Sequence, residues 1–167
     1  MAEPERDTPK IDLQFRFAAA LDRPRLITLI NAAFVVESFL EGTRTDSGRL
    51  KAMMAKGCIL MAENDAGRLV ASVYMERRGK RGYLGMLAVD PSLQNRGLGR
   101  RLLLEAEDRF RRQGCEGIDI TVLSLRPELL PIYKRFGFVE TGTEQFRTSQ
   151  PLRPGLACHC IVMSKPI

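Results

Sequence analysis

The residues with the clearest chemical potential form a glycine-bearing turn, Gln94-Asn-Arg-Gly-Leu-Gly-Arg100, between an apolar run and a helical pattern. Gly97 and Gly99 have no Cβ, so the backbone there can approach a ligand closely and offer it the free N–H groups of a helix start. The helix dipole also favours an anion at this point. Three arginines add positive charge around the turn: Arg96, Arg100 and Arg101. The spacing therefore predicts a cradle for phosphate groups.

The glycine spacing excludes two common phosphate-binding motifs and is similar to a third. A dinucleotide fingerprint needs a glycine where Leu102 stands, and a P-loop needs Gly-Lys-Ser/Thr where this chain has Gly99-Arg-Arg. The turn instead resembles the Gln/Arg-x-x-Gly-x-Gly/Ala signature of the GNAT superfamily of N-acetyltransferases, whose loop holds the pyrophosphate of acetyl-CoA. An ordinary helix start, with glycines for tight packing, is the alternative explanation.

A second motif downstream resembles the same family. The segment from Tyr133 to Phe138, YKRFGF, is similar to the family's Tyr-x-x-x-Gly-Phe pattern. The resemblance implies that the tyrosine hydroxyl faces the coenzyme sulfur and acts as general acid, since a phenol with a pKa near 10 is protonated at neutral pH. Packing beside Phe136 is the alternative role. The chain departs from the family pattern at Arg126, where asparagine is frequent, and at Pro131.

The resemblance extends from about Leu13 to Ile167 and implies a set of site residues. Leu87 and Val89 are expected to pair with the pantetheine arm as an added strand would, with the Val89 amide facing the thioester oxygen. Val89 and Tyr133 are thus the expected catalytic groups. The expected coenzyme-binding residues are Leu87, Ala88, Val89, Gln94, Asn95, Arg96, Gly97, Leu98, Gly99, Arg100 and Tyr133. The acceptor is expected at segments 36–46 and 147–155, with candidate residues Glu37, Phe39, Arg44, Arg147 and Arg153.

The chemistry of the acceptor is less defined by the sequence. An alkylammonium has a pKa near 10.4, so the acceptor must lose a proton before it attacks. Water often serves in this family, and the candidate bases are also explained as solvated or structural groups: Glu37, Glu41, Glu76 and His159. Because guanidinium groups bind carboxylates, Arg44, Arg147 and Arg153 favour a carboxylate-bearing amine over a polyamine.

Length and composition fit a single domain. The chain has 167 residues, of which 44% are hydrophobic, enough to close one core of that size. We expect residues 1–12 to form a flexible tail and residues 13–167 to form the domain. No segment approaches the roughly 20 apolar residues of a membrane span, and the polar start does not match a signal peptide. A cytoplasmic location without a membrane partner is therefore expected.

The net charge of +6 raises the question of a nucleic-acid partner. Three carboxylates in the predicted long helix each precede an arginine by one turn, which is typical of a solvated helix face: Glu105 and Arg109, Glu107 and Arg111, Asp108 and Arg112. The chain has no tryptophan and three tyrosines, few rings on which single-stranded bases could stack. These observations argue against a nucleic-acid partner.

The four cysteines do not predict a metal site. They are Cys58, Cys115, Cys158 and Cys160, and none belongs to a Cys-x-x-Cys pair. In a strand, Cys158 and Cys160 share one face while His159 points to the other, which makes a poor chelate. We therefore expect no metal, and the resemblance implies acetyl-CoA as cosubstrate.

Hydrophobic periodicity predicts a strand, two helices, three strands, a helix, a strand, a helix and two strands. The expected ranges are a strand around 15–17, helices from Asp22 and over 47–56, strands over 58–63, 69–76 and 83–89, a long helix after Gly97, a strand over 117–124, a short helix around Tyr133, and a hairpin of 138–146 with 156–163. The resemblance implies one α/β (α+β) domain, with a mixed, mostly antiparallel twisted sheet of about seven strands flanked by about four helices.

These expectations point to an N-acetyltransferase that transfers an acetyl group from acetyl-CoA to a primary amine by direct attack. The acceptor is a small molecule, an amino acid or a peptide. The alternatives are a non-catalytic module that senses acyl-CoA and, less favoured, a basic nucleic-acid-binding protein. Association into a homodimer is left open.

Overall fold

The computed structural model describes residues 9–147 and 150–167, which contain one seven-stranded sheet and four α-helices. In chain order the elements are β1 (Gln14–Phe17), α1 (Arg23–Ala33), α2 (Ser47–Lys56), β2 (Cys58–Glu63), β3 (Leu69–Arg78), β4 (Arg81–Val89), α3 (Leu98–Arg112), β5 (Gly117–Leu123), α4 (Leu129–Arg135), β6 (Val139–Gln145) and β7 (His159–Pro166). Short 3₁₀ turns cover Ala20–Asp22 and Pro91–Leu93. The predicted element order and fold class are confirmed.

The strands lie in the order β1-β2-β3-β4-β5-β7-β6. Neighbours are antiparallel except β4 and β5, which are parallel. The predicted last strand, 156–163, is shifted: it begins at His159 and ends at Pro166. The predicted turn over 77–81 is shorter than expected because pairing continues to Arg78 and Arg81.

The helices cover both faces of the sheet, and each pair has its own apolar core. Leu98, Leu102, Ala106 and Phe110 of α3 are buried against one face, which confirms the predicted stripe. Helix α4 packs on this same core. On the other face, buried residues of α1 and α2 pack against β2, β3 and β4. Outside these cores, the three predicted ion pairs of α3 are formed at 2.6–2.9 Å.

Asp22 directly precedes α1, which confirms the predicted helix start, but its side chain makes no capping hydrogen bond to the helix. Its side chain accepts a hydrogen bond from the Ala19 amide at 2.7 Å, and its Oδ1 lies 2.8 Å from Arg16 Nη2 and 2.9 Å from Arg25 Nη2. These partners, Arg16 foremost, hold the pKa of Asp22 well below its usual range. The residue therefore stands at the start of α1 and also ties β1 to that helix.

The predicted N-terminal tail falls largely outside the described residues, which begin at Pro9. Ile11 packs against the core beneath α3, and its carbonyl accepts a hydrogen bond from the Arg101 guanidinium. Pro131, the other departure from the family pattern, is the third residue of α4, where proline is tolerated because the first-turn amides have no intrahelical acceptor.

One glycine sets how closely α3 approaches β4. A Cβ at Gly82 would lie 2.6 Å from ring carbons of buried Phe110. We expect Gly82→Ala to lower the free energy of unfolding by about 1–3 kcal/mol, the usual range for overpacking a core. Gly142, on exposed β6, has no atom within 4 Å of its added Cβ and provides the control. Gly142→Ala should change stability by about 0.5 kcal/mol or less in urea unfolding; equal destabilisation of both variants would contradict the packing argument.

Candidate active site

The central feature of the site is a gap between β4 and β5. Their parallel pairing includes Arg81 to Tyr83 and Gly117 to Asp119 and then stops, although both strands continue to Val89 and Leu123. The far edge of β5 is occupied throughout by β7. Beyond Tyr83 the facing edges of β4 and β5 diverge, and they border a cleft of about 730 Å³.

A β-bulge shapes the β4 side of this cleft. The register with β3 moves from Tyr74 opposite Gly85 to Ser72 opposite Ala88, so β4 contains one extra residue. Met86 lies in this stretch with φ of 49°, an unusual value for a residue other than glycine. Bulges bend a strand and redirect its side chains.

The backbone groups of Val89, which the resemblance implies as an oxyanion donor, face away from β3. The Asp90 amide donates to the Val70 carbonyl of β3 at 2.9 Å. Because successive residues of an antiparallel strand alternate in the edge to which their N–H and C=O groups point, the Val89 groups face away from β3. In agreement, the Val89 carbonyl accepts a 3.4 Å contact from the Gln94 side chain. The Val89 N–H therefore points to the edge that borders the cleft.

The predicted phosphate cradle follows directly after β4. Asn95 and Gly97 have positive φ angles of 62° and 75°, and α3 begins at Leu98. The Arg101 amide is the one that donates to the Gly97 carbonyl, so the preceding amides of the first turn have no acceptor within the helix. A Cβ added at Gly99 would lie 3.5 Å from Val89, which shows that the helix start adjoins the end of β4.

Most of the predicted coenzyme residues line this one cleft. They are Leu87, Val89, Gln94, Asn95, Gly97, Leu98, Gly99, Arg100 and Tyr133. Ala88 does not line it: its side chain is buried in the core beneath α1. Arg96 is exposed and also lies outside the lining. The assignment of individual contacts to the coenzyme remains a prediction.

Tyr133 enters the cleft from α4. Its ring makes edge contacts with Phe136 and Phe138, at centroid distances of 6.4 and 5.9 Å. No hydrogen bond joins its hydroxyl to any residue that the structure describes, and burial raises the pKa of Tyr133 to about 12. The ring therefore packs against aromatic neighbours, and Tyr133 also lines the cleft; its role as general acid remains a prediction.

The two predicted acceptor segments meet and form one wall, which we call the acceptor wall (residues 36–46 and 150–155). The Glu41 amide donates to the Pro151 carbonyl at 2.9 Å, and Leu40 forms a β-bridge with Leu152. The Arg153 amide donates to the Phe39 carbonyl at 3.0 Å. Residues 148 and 149 of the predicted loop are outside the described residues.

The candidate acceptor residues divide into two groups. Glu37, Arg44 and Arg147 line the cleft. Phe39 and Arg153 do not; the Arg153 guanidinium donates to the Ser38 carbonyl at 2.6 Å and thereby fastens the acceptor wall. Arg153 is thus accounted for as a structural residue.

Sequence reasoning overlooked the partner of Glu37. The Oε2 atom of Glu37 lies 2.8 Å from Nη1 of Arg126, whose Nε is 2.5 Å from Glu128. Arg126 belongs to the connection between β5 and α4, so this ion pair joins the acceptor wall to the helix of Tyr133. The departure from asparagine at position 126 was the one signal in the sequence that could have indicated it.

The other candidate bases lie outside the cleft lining. Glu76 accepts hydrogen bonds from Arg78 at 3.0 Å and from the Tyr74 hydroxyl at 2.8 Å, and the Arg78 interaction lowers its pKa. His159 is exposed on β7 and Glu41 is exposed on the acceptor wall. Because Glu41, Glu76 and His159 all lie outside the cleft lining, these positions favour water over any of them as the base that deprotonates the acceptor.

Two further findings concern metals and membranes. Among the described residues, no three His, Cys, Asp or Glu side chains are grouped so that they could hold a metal ion. None of the described helices has the length and apolar character needed to cross a membrane.

The sequence profile and the relatives that match this chain are those of acetyltransferases. The sequence profile of the acetyltransferase (GNAT) domain matches residues 35–152. Glucosamine 6-phosphate N-acetyltransferase 1 of Oryza sativa subsp. japonica is 32% identical over 112 residues, which cover 62% of this chain and 66% of that protein. Mycothiol acetyltransferase of Propionibacterium freudenreichii is 33% identical over 90 residues, 52% of this chain and 29% of that protein. The chain thus spans less than two thirds of the length of either relative.

Solved structures share the fold at lower identity. Ribosomal-protein-alanine N-acetyltransferase from Brucella melitensis has a TM-score of 0.72 at 20% identity, covering 92% of this chain and 99% of that one. An IAA acetyltransferase from Bacillus cereus has a TM-score of 0.72 at 15% identity, covering 93% of this chain and 100% of that one. At these identities the likeness shows the fold alone.

The cradle can be tested with a matched pair of glycine substitutions. Gly97 and Gly67 have φ angles of 75° and 76°, and an added Cβ would meet no atom within 4 Å at either position. Replacement by alanine should therefore strain both turns alike, by about 1–2 kcal/mol. Since Gly97 alone of the two lines the cleft, Gly97→Ala should weaken CoA binding by about tenfold or more, a loss of about 1.4 kcal/mol.

The measurement is isothermal titration of each folded variant with CoA, supported by the rise in melting temperature expected on CoA binding. Gly67→Ala should bind CoA like the wild type. A Gly97→Ala protein that binds CoA with unchanged affinity would contradict the assignment of this turn as the cradle.

Proposed function

The chain belongs to the GNAT acetyltransferase family, and from that premise we propose that it transfers the acetyl group of acetyl-CoA to the primary amine of a small molecule, an amino acid or a peptide. The observation that supports this reaction most directly is the cleft between β4 and β5. The glycine turn at the start of α3 adjoins its β4 side, the Val89 amide faces it, and Tyr133 lines it from α4.

The coenzyme would be held by backbone groups of two kinds. The free amides at the start of α3 suit the pyrophosphate, because they are N–H donors at the positive end of a helix dipole. The diverging edge of β4 suits the pantetheine arm, whose amide groups can pair with a strand that has no neighbour on that side. The Val89 N–H then acts as the oxyanion donor, an interaction worth about 3 kcal/mol in catalysis.

The transfer is a direct displacement at the thioester carbon. The neutral amine forms the N–C bond, the C–S bond breaks, and the departing thiolate takes the proton of Tyr133. The proton lost by the attacking nitrogen passes to water, and the tyrosinate recovers a proton from water. Because burial holds the pKa of Tyr133 at about 12, the phenol is protonated at neutral pH when the thiolate forms.

The acceptor must approach from the acceptor wall, opposite the cradle. The named relatives act on different acceptors: one is a glucosamine 6-phosphate N-acetyltransferase and another a mycothiol acetyltransferase. They support acetyl transfer as the reaction class and leave the acceptor of this chain to be established.

A screen of amines against acetyl-CoA tests the proposed reaction. Release of free CoA thiol, measured with a thiol reagent, should depend on both the protein and an amine, and the N-acetylated amine should be identified by mass. Binding of acetyl-CoA without amine-dependent thiol release, across amino acids, peptides, amino sugars and polyamines, would overturn catalysis and favour an acyl-CoA sensor.

Tyr133→Phe tests the general acid. The phenylalanine ring keeps the contacts with Phe136 and Phe138 but cannot donate a proton, so kcat should fall by about a hundredfold or more while CoA affinity is unchanged. Tyr83→Phe is the matched control, because Tyr83 also lines the cleft but its hydroxyl is 3.2 Å from Thr121 Oγ1. Its kcat should stay within about threefold of the wild-type value, a change of less than 1 kcal/mol.

The pH dependence adds a second readout. A pKa of about 12 keeps Tyr133 protonated at pH values where an ordinary phenol is half ionised. The wild-type rate should therefore show no loss from Tyr133 ionisation up to about pH 10.

For the substitution test, a Tyr133→Phe enzyme whose rate stays within about threefold of the wild-type rate would contradict the general-acid role and leave Tyr133 as a packing residue.

A further inference from the structure

Two oppositely charged side chains at the acceptor end of the cleft contain buried atoms without hydrogen bonds. Glu37 has a side chain only 5% exposed, and its Oε1 is buried with no hydrogen-bond partner among the described residues. The same holds for Nε of Arg44, whose side chain is 20% exposed. Buried polar atoms are rarely left unbonded, because each such atom destabilises the fold by about 1–3 kcal/mol. Both residues line the cleft, so a bound ligand can supply the missing partners.

Each of these side chains is held in place by its other contacts. Glu37 Oε2 lies 2.8 Å from Arg126 Nη1. The Arg44 guanidinium lies 5.0 Å from the centroid of the Phe34 ring. The shortest distance between the two groups, from Arg44 Nη1 to Glu37 Oε1, is 3.9 Å, too long for a hydrogen bond. An acceptor atom and a donor group thus stand side by side, each with unused hydrogen-bonding capacity.

We propose that these two residues form the recognition site for a zwitterionic acceptor, whose amine donates to Glu37 Oε1 and whose oxyanion accepts from Arg44. This inference rests on the proposed function and narrows its acceptor class. Because the two protein groups are 3.9 Å apart, the amine and the oxyanion must be separated by few bonds, as in an α-amino acid or a short aminoalkyl phosphate.

The surrounding charges favour a ligand with an oxyanion. Besides Arg44 and Arg126, the cleft lining includes Arg147, whose guanidinium has no charged partner among the described residues. Arg49 and Arg100 also line the cleft, so five arginines of the lining stand against two carboxylates, Glu37 and Glu128; of the five, Arg49 is paired with Asp46. An additional anion therefore improves the local balance, whereas a polyamine would add to the excess positive charge.

The position of Glu37 also suits an amine that reacts. Its partner Arg126 lies on the connection to α4; the Arg126 amide donates to Leu123, and the Leu129 amide donates to Arg126. The carboxylate is therefore fixed to the same segment that carries Tyr133. Glu37 acts here as a binding group: the bound ammonium releases one proton to water, and the neutral nitrogen then forms the N–C bond as the thioester C–S bond breaks.

The first test compares matched acceptors with the wild-type protein. The set contains an α-amino acid, the amine left when its carboxylate is removed, and an aminoalkyl phosphate of similar size. Thiol release should show kcat/KM at least tenfold higher for one of the two oxyanion-bearing compounds than for the plain amine. The better of the two identifies the oxyanion. Equal values for all three would overturn this inference while leaving the acetyltransferase proposal intact.

The second test removes one partner at a time. Glu37→Gln keeps an oxygen for Arg126 but replaces the free acceptor atom, and it should raise the acceptor KM at least tenfold with CoA binding unchanged. Glu128→Gln removes the other carboxylate of Arg126 and should leave that KM within threefold. Equal effects of the two substitutions would show that Glu37 acts only through Arg126 and would overturn the proposal.

The third test uses Arg44→Gln, which should abolish the preference for the oxyanion-bearing acceptor. A preference that survives in this variant would also overturn the proposal. If Glu37→Gln has a lowered melting temperature, the Arg44 variant and the wild-type comparison still decide the question. Absence of thiol release with every amine in the wild type would overturn the proposed function itself, and that outcome is distinct from the loss of acceptor preference alone.

Discussion

The site depends on the early end of the pairing between β4 and β5. Each strand is held on its outer side, β4 by β3 and β5 by β7, so neither can move across to close the gap. The backbone groups along the facing edges still require hydrogen-bond partners, because such groups are strong donors and acceptors. A fully paired sheet would have no cleft at this position, and the α3 start and the α4 tyrosine would face a closed surface.

The remaining elements set what borders the cleft. The bulge near Met86 and the pairing of Asp90 with Val70 decide which groups of β4 face it. Close packing of Phe110 on Gly82 positions α3, and thereby the direction of the free amides at its start. On the far side, the edge contacts of Tyr133 with two phenylalanines fix the ring from which the hydroxyl projects. Rigid packing on both sides is what a preorganised site requires.

Features that depend on local spacing could be predicted from the sequence. The α3 stripe, its three ion pairs one turn apart and the helix start after Gly97 each involve residues close together in the chain. The helix start at Asp22 was also predicted, but its ion pair with Arg16 was not, because that pair joins a strand to a helix start and local spacing does not reveal it. The ion pair of Glu37 with Arg126 spans 89 positions, so no periodicity in the sequence could indicate it.

The construction of the acceptor wall has an evolutionary consequence. Its two segments are joined chiefly by main-chain hydrogen bonds, such as Glu41 to Pro151 and Arg153 to Phe39. Bonds between peptide groups persist when side chains are exchanged, provided that the backbone geometry is kept. Side chains that project from the acceptor wall can therefore be substituted without loss of the hydrogen bonds that join its two segments. Under the proposed function, a few substitutions in the wall of a duplicated copy would change the acceptor while the residues proposed to hold the coenzyme stay under unchanged selection.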